Sequence, residues 1–312
     1  MVRALHLAAL AATTSLVQGH FRFVRIAHNG VWQKPLQYIR NVTDPFYEPF
    51  NPAFDPRPNR SMTDPTYYGD APNSVRCGRD NLNHAPTTEV LKVKAGDTLE
   101  FVNANTGYEQ FEDKRFWECE DGRGYCSNFG EQSPQQYWMR IVHPGPVQMY
   151  LSAVPAGQDI GHYDGSGEWV KIKTFGVEIH KDMKKPYWLP NNGTDDGYGS
   201  GTQGLPVRMP FKIPTQTPPG SYLLRVDMVY ANGDYATQLY PSCAQILVES
   251  SATGALPKGV KFPEAYEPSQ PGVTVSWPQG VGIELDSNYT YPGGDLWTGE
   301  KLVVDTPDRT PI

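Results

Sequence analysis

Apolar and polar residues alternate in several stretches of the chain: Leu91 to Val102, broken by AlaGlyAsp at 95–97, then Val147 to Ala153, Trp169 to Phe175, Val207 to Ile213, Tyr222 to Tyr230 and Ala236 to Val248. A period of two is the imprint of a strand with one buried face. In TyrLeuLeuArgValAspMetValTyr, residues 222–230, the side chains of Tyr222, Leu224, Val226, Met228 and Tyr230 fall on one face, which predicts a half-buried antiparallel strand. No stretch carries a convincing helical period. Several strands separated by Gly and Pro turns predict an all-β fold, an immunoglobulin-like or fibronectin-like antiparallel β-sandwich with long loops.

Three segments lack this alternation. Residues 41–73 are rich in Pro, Asp, Asn and Tyr without a period and read as a long surface loop. Residues 251–312 are Pro- and Gly-rich and carry no cysteine, so they predict an extension wrapping the domain rather than a disulfide-stapled carbohydrate-binding module. Residues 1–19 open with Arg3, continue through an apolar run from Ala4 to Val17 and end in Gly19, the pattern of a signal peptide cut before His20. That run is too short for a bilayer span of roughly 20 residues, and no later segment suits one. The expectation is a secreted, monomeric protein without a membrane anchor, with one domain over residues 20–250.

Composition narrows the partners. Losing Arg3 takes the 27 Lys and Arg to 26 against 34 Asp and Glu, a formal charge of −8. The remaining cations are scattered, with Lys181, Lys184 and Lys185 the densest group, so no basic patch for nucleic acid is in view. A neutral polymer suits this surface better. The 30 Gly, 29 Pro and 12% aromatic residues agree with a loop-rich β protein.

Four cysteines in an exported chain read as two disulfides. Three pairings are possible. Cys119 and Cys126 enclose the short polar loop GluAspGlyArgGlyTyr, which favours pairing them with each other and leaves Cys77 with Cys243. Sequons at Asn41, Asn59, Asn192 and Asn288 offer N-glycosylation sites.

Six histidines would survive processing: His20, His28, His84, His143, His162 and His180. His20 differs from the rest because a cut before it would expose an α-amine beside the imidazole. The amine's ordinary pKa near 8 lets a metal displace its proton at neutral pH, so one residue becomes a chelate. A second imidazole opposite would complete a nitrogen-rich tetragonal set suited to Cu(II). His143, in IleValHisProGlyProValGlnMetTyr, sits on a Pro-Gly-Pro turn before a strand, a rigid mount for such a ligand. On composition alone, an accidental terminal histidine and an ordinary turn histidine are the simpler explanation of these two residues.

Longer motifs change that balance. HisPheArgPhe from His20, AlaGlyAsp at 95–97, HisProGlyPro at 143–146 followed by MetTyrLeuSerAlaValProAlaGly, and GlnLeuTyrProSerCysAlaGlnIle at 238–246 together resemble the fungal lytic polysaccharide monooxygenases of auxiliary activity family nine. AspGlySerGlyGluTrpValLysIle at 164–172, ProProGlySerTyrLeuLeuArg at 218–225 and LeuProLysGlyValLysPheProGluAlaTyr at 256–266 extend the resemblance in the same order. A related fungal family, auxiliary activity family sixteen, shares the copper ligands. The resemblance implies one copper ion per chain, held by the amine and ring of His20 and the ring of His143, with Tyr240 axial. Gln238 matches a glutamine beside the oxygen-reactive position and, two residues before Tyr240, shares its face. Cys77 and Cys243 match the family's core disulfide. Tyr289, in AsnTyrThrTyrProGlyGly, resembles a flat-face tyrosine that stacks on sugar rings, although a loop aromatic reads equally well.

Two features depart from the family. Asn232 stands where a histidine is usual, and an amide donates a hydrogen bond but is not a cationic proton donor near neutral pH. The 41–73 loop and the Cys119–Cys126 loop are longer than the common form. The resemblance implies oxidative cleavage of a β-1,4-glucan, cellulose above all, at C1 or C4, with an external electron donor and dioxygen or hydrogen peroxide as partners. Asn232 keeps open a second expectation, a copper-binding protein using the same two histidines without oxygenase activity. A non-catalytic glycoprotein fits less well with His20, His143, Gln238 and Tyr240 all retained. No carboxylate pair singles itself out for hydrolysis.

Overall fold

The computed structural model describes residues 20–43, 63–104, 126–127, 136–137, 141, 143–181, 186–191, 207–231, 237–275 and 285–312. Among them the strands are β1 (Arg22–His28), β2 (Val31–Trp32), β3 (Leu91–Lys94), β4 (Thr98–Ala104), β5 (Cys126–Ser127), β6 (Gln136–Tyr137), β7 (Val147–Ala153) and β8 (Val170–Phe175). They continue with β9 (Val177–Glu178), β10 (Tyr187–Trp188), β11 (Pro210–Lys212), β12 (Gly220–Tyr230), β13 (Gln238–Leu239), β14 (Ser242–Glu249), β15 (Leu296–Trp297) and β16 (Leu302–Val303). One sheet runs β11-β4-β1-β2 and the larger runs β16-β15-β8-β7-β12-β14-β3, with β13 beside the end of β12. Short pairs β9-β10 and β5-β6 complete the set. The expected all-β sandwich is the observed architecture. Its interior pairings are antiparallel, but β14 with β3 and β15 with β8 are parallel, so the larger sheet is mixed towards its ends. Among the described residues no helix is long and apolar enough to cross a membrane.

The period-two reading of residues 222–230 holds on its apolar side. Tyr222, Leu224, Val226 and Met228 join Phe23, Ile26, Leu99, Phe101, Met149 and Leu151 in one core cluster, and Tyr230 packs against it. The other face of β12 was expected to meet solvent and does not: Leu223, Arg225 and Asp227 are all fully buried. A second apolar cluster of Val75, Cys77, Tyr150, Trp169, Phe262 and Tyr266 covers that side. Part of this cover, Val75 and Cys77, comes from a short helix, α1 (Pro72–Cys77), which a second, α2 (Asn81–His84), follows. They are too brief to leave a helical period in the sequence, and α1 begins with proline, as first turns tolerate.

The run from Ala236 to Val248 breaks at Tyr240 and Pro241. β13 pairs with the end of β12 through Val229 with Leu239 and Tyr230 with Gln238, while β14 pairs with β12 from Gly220 to Val226. Pro241 has no N–H to give a ladder, so the chain steps out of the sheet there. This step leaves Tyr240 between two strands at one end of the sandwich. The C-terminal segment packs on the larger sheet. Trp169 and Val260 exchange backbone hydrogen bonds of 2.8 and 2.9 Å, and the buried Lys171 Nζ donates to Asp305 and to the carbonyl of Pro292, both at 2.8 Å.

Candidate metal centre

Three rings gather at the end of the sandwich where β1 begins, β7 begins and β12 ends. His20 and His143 have ring centroids 6.0 Å apart, His20 and Tyr240 6.2 Å, and His143 and Tyr240 5.9 Å. The near-equal sides describe a triangle in which no two of the rings stack upon each other. Each ring stacks or bonds elsewhere. Phe21 lies flat on Tyr240 at 4.4 Å, and Tyr230 lies flat on His143 at 4.5 Å. Phe21 and Tyr240 therefore fix His20 from behind, through the strand it leads into.

His143 owes its place to the turn after it. Gly145 has φ +149°, and a Cβ there would meet the carbonyl oxygen of Val229 at 2.1 Å, so only glycine lets the turn pass β12 this closely. The Val229 N–H donates to the Pro146 carbonyl at 3.1 Å and locks the approach. Burial, and then the neighbouring His20 charge, push the His143 imidazole down to about 3. It is therefore a neutral ring with a lone pair to offer. Its Nε2 is buried and makes no hydrogen bond. Buried polar atoms are nearly always partnered, so an orphaned imidazole nitrogen on a ring beside a second histidine suits a metal ligand.

Tyr240 is held at three points besides its ring. Its N–H reaches the Met228 carbonyl at 3.0 Å and Asp227 Oδ1 at 2.8 Å, and its hydroxyl donates to Gln238 Oε1 at 2.6 Å. Asp227 is in turn bound at Oδ2 by Arg225 Nη2 at 2.6 Å and by the Tyr266 hydroxyl at 2.8 Å. Arg225 also donates to the carbonyls of Arg76 at 2.7 Å and Val75 at 3.1 Å. This charge network ties α1 to the strand break that carries Tyr240. Asp227→Ala leaves Arg225 buried without its carboxylate, and a loss of about 3–5 kcal/mol in urea unfolding is expected. A loss below about 1 kcal/mol would show that Arg225 finds another anion.

Among the described residues no group of three or more His, Cys, Asp or Glu side chains stands ready to hold a metal. The site offers two imidazoles and a phenol, so further donors must come from elsewhere, and a terminal amine on His20 is one. The residues fit copper on this ground, since paired imidazoles with an amine are the nitrogen set that Cu(II) prefers. The other four histidines each face a carboxylate: His28 with Asp97 at 2.7 Å, His84 with Asp80 at 3.5 Å, His162 with Asp159 at 3.5 Å and His180 with Glu178 at 3.2 Å.

The remaining sequence-derived residues divide. Cys77 and Cys243 are joined. Cys119 lies outside the described residues, and of Cys126 only the backbone pairing with Tyr137 is described. Asn232, Asn59 and Asn192 also lie outside them. Asn41 Oδ1 accepts from Arg22 at 2.8 Å, and Asn288 is exposed. Tyr289 is not an exposed stacking platform: at 7% exposure it packs with Val177, Trp188 and Tyr291, its ring edge-on to both aromatic neighbours. The strand pair β9-β10 supplies Val177 and Trp188 and covers the faces that a sugar would need.

Sequence reasoning missed Asp64, whose Oδ1 lies 2.6 Å from His20 Nδ1, and Asp227. Asp64 lies inside the patternless 41–73 segment, expected on the surface but buried here from Thr63 to Tyr67, and carries no local signal. Asp227 carried one, since a charge two residues from Arg225 in an apolar strand must share its face.

A model of AA9, Auxiliary Activity family 9 (formerly GH61), matches residues 20–284. An AA9 family lytic polysaccharide monooxygenase G of Aspergillus tamarii is 27% identical over 295 residues, 93% of this chain and 69% of the relative. An AA9 family lytic polysaccharide monooxygenase C of Emericella nidulans is 27% identical over 94% of this chain and 96% of its own length. The solved structure of CvAA9A superposes with a TM-score of 0.55 at 20% identity, covering 90% of this chain and all of that one. That likeness concerns the fold.

Proposed function

The chain belongs to Auxiliary Activity family 9, whose members are copper-dependent polysaccharide monooxygenases, and on that premise we propose that it is secreted, is cut before His20, and cleaves β-1,4-glucan, cellulose first, at C1 or C4. The observation that carries the site assignment is the buried, unpartnered Nε2 of His143, on a ring about 6 Å from those of His20 and Tyr240. One copper ion would be held by the His20 amine and ring and by His143, with the Tyr240 hydroxyl beside it. Bound copper, cycled by an external electron donor, supplies the one-electron chemistry with dioxygen or peroxide that a C–H bond demands.

The chain's own residues do the rest. His143 stays neutral well below neutral pH, so no proton has to leave before it binds. Tyr240, pinned by Asp227 and Phe21, is kept in place beside the two imidazoles. Its hydroxyl occupies the carbonyl of Gln238, which leaves the amide N–H groups of Gln238 to donate to the oxygen substrate. Loading the processed protein with copper and incubating it with cellulose and a reductant is expected to release aldonic acids or gem-diols visible by mass spectrometry. Absence of oxidised ends from every β-glucan offered would overturn the assignment.

Asn232 bears on rate rather than on metal. Where the family usually carries a histidine, an amide supplies a hydrogen bond without a mobile proton. Asn232→His is expected to raise turnover about 10- to 100-fold, the usual weight in activity of an outer partner at a metal site. Copper affinity should not change. A histidine variant no faster than the parent would remove residue 232 from the account.

A further inference from the structure

One face of β12 builds the sandwich core and then runs out into the metal centre. Tyr222, Leu224, Val226 and Met228 lie in the core cluster, and Tyr230, next on that face, is half-buried and packs against it. The Tyr230 phenol lies flat on the His143 imidazole, with ring centroids 4.5 Å apart and planes 12° apart.

Both rings stand on fixed backbone. Tyr230 pairs with Gln238 across one edge of β12, while at the other edge the Val229 N–H donates to Pro146 at 3.1 Å and Gly145 lies against the Val229 carbonyl. What stays soft in His143 is the rotation of its ring about the Cβ–Cγ bond. That rotation aims the ligand. An imidazole nitrogen offers its lone pair in the plane of the ring, so turning the plane swings the lone pair off an ion. Metal-binding histidines are ordinarily oriented by a hydrogen bond to the ring nitrogen that does not hold the metal. For His143 the flat Tyr230 ring imposes the same restraint, because turning the imidazole would drive its edge into the phenol. A bound metal also draws electron density out of the imidazole, and a more positive ring gains from the π face beneath it.

We propose that Tyr230 is a positioning residue of the copper site, setting the plane of the His143 ring and with it the direction of the lone pair. This rests on the reading of His143 as a copper ligand. The flat ring of Tyr230 carries the role, and its hydroxyl does not.

Cu(II) titrations and electron paramagnetic resonance of the processed parent, Tyr230→Phe, Tyr230→Leu, Tyr222→Leu and His143→Ala provide the test. Tyr230→Leu keeps apolar bulk against the core but loses the flat face. Its Cu(II) affinity is expected to fall about 10-fold, and its hyperfine lines to broaden as the imidazole takes several orientations. Tyr230→Phe keeps the face and should match the parent in both. Tyr222→Leu removes a tyrosine from the same core at the far end of the same strand, and should leave the copper spectrum unchanged. A Tyr230→Leu protein with the parent's spectrum and affinity, beside a His143→Ala protein that has lost copper, would overturn the role of Tyr230 alone. So would a Tyr230→Phe protein as altered as Tyr230→Leu, or a Tyr222→Leu spectrum broadened to the same extent. A His143→Ala protein that binds copper like the parent would overturn the ligand and its positioning residue together.

Discussion

Replacing Cys77 and Cys243 together by alanine is expected to cost about 5 kcal/mol of folding stability, from the chain-entropy model for a cross-link of this span. The two residues are 166 apart in sequence, so the bridge denies the unfolded chain a very large set of conformations. Both side chains are buried, Cys243 on β14 and Cys77 at the end of α1, so the native state also loses packing. Against a domain stability of about 5–15 kcal/mol, this is a large share. Not everything at this junction depends on sulfur. Arg225 holds the carbonyls of Val75 and Arg76, and the Arg40 N–H donates to the Cys243 carbonyl at 2.9 Å. The double mutant should therefore still fold, with α1 less firmly seated and, through Gly78 and Arg79, the Asp64 segment loosened. Denaturant unfolding of the metal-free proteins reads the effect. A loss under about 1 kcal/mol would mean that the Arg225 contacts alone seat the helix and that the denatured chain is already compact there.

The strands that could be read from the sequence are those with one polar and one apolar face, and β7 was legible to the residue. β1 was not, because its residues from Arg22 to Ala27 are all buried and two of them are arginines bonded to loop carbonyls, so no alternation survives. β12 was found for its core-facing side and misjudged for the other, since the cover over Arg225 and Asp227 comes from helices and a tail remote in sequence. The tail misled in a second way. Tyr289 sits among Pro, Gly and Asn, a composition that reads as surface, yet the chain folds it under β9 and β10. Of the metal centre, His20, His143, Gln238 and Tyr240 were legible only because several motifs occur in a shared order; each residue alone was unremarkable. Asp64 had no motif, and its position is created by Arg79 and by the bridge to Leu239, neither of which a local pattern encodes.

The largest effect on function is expected from a single residue left before His20. A retained Gly19 would turn the His20 amine into a peptide nitrogen, which holds its proton at neutral pH and no longer offers a lone pair. The ion then keeps two imidazoles and loses the chelate that joins the amine to Nδ1. Loss of a partner that merely touches a ligand costs about 10- to 100-fold in metal affinity, so loss of a donor and its chelate ring should exceed about 100-fold. That is at least about 2.7 kcal/mol of binding free energy. Fold stability should be the same in the two forms without metal, because among the described residues the core on β1 begins with Phe21 and Phe23. The most direct test is a calorimetric Cu(II) titration of two preparations that differ only in Gly19. The form beginning at His20 is expected to bind tightly and one-to-one, and the form beginning at Gly19 more than about 100-fold more weakly; equal affinity for the two would contradict a chelate built on the His20 amine.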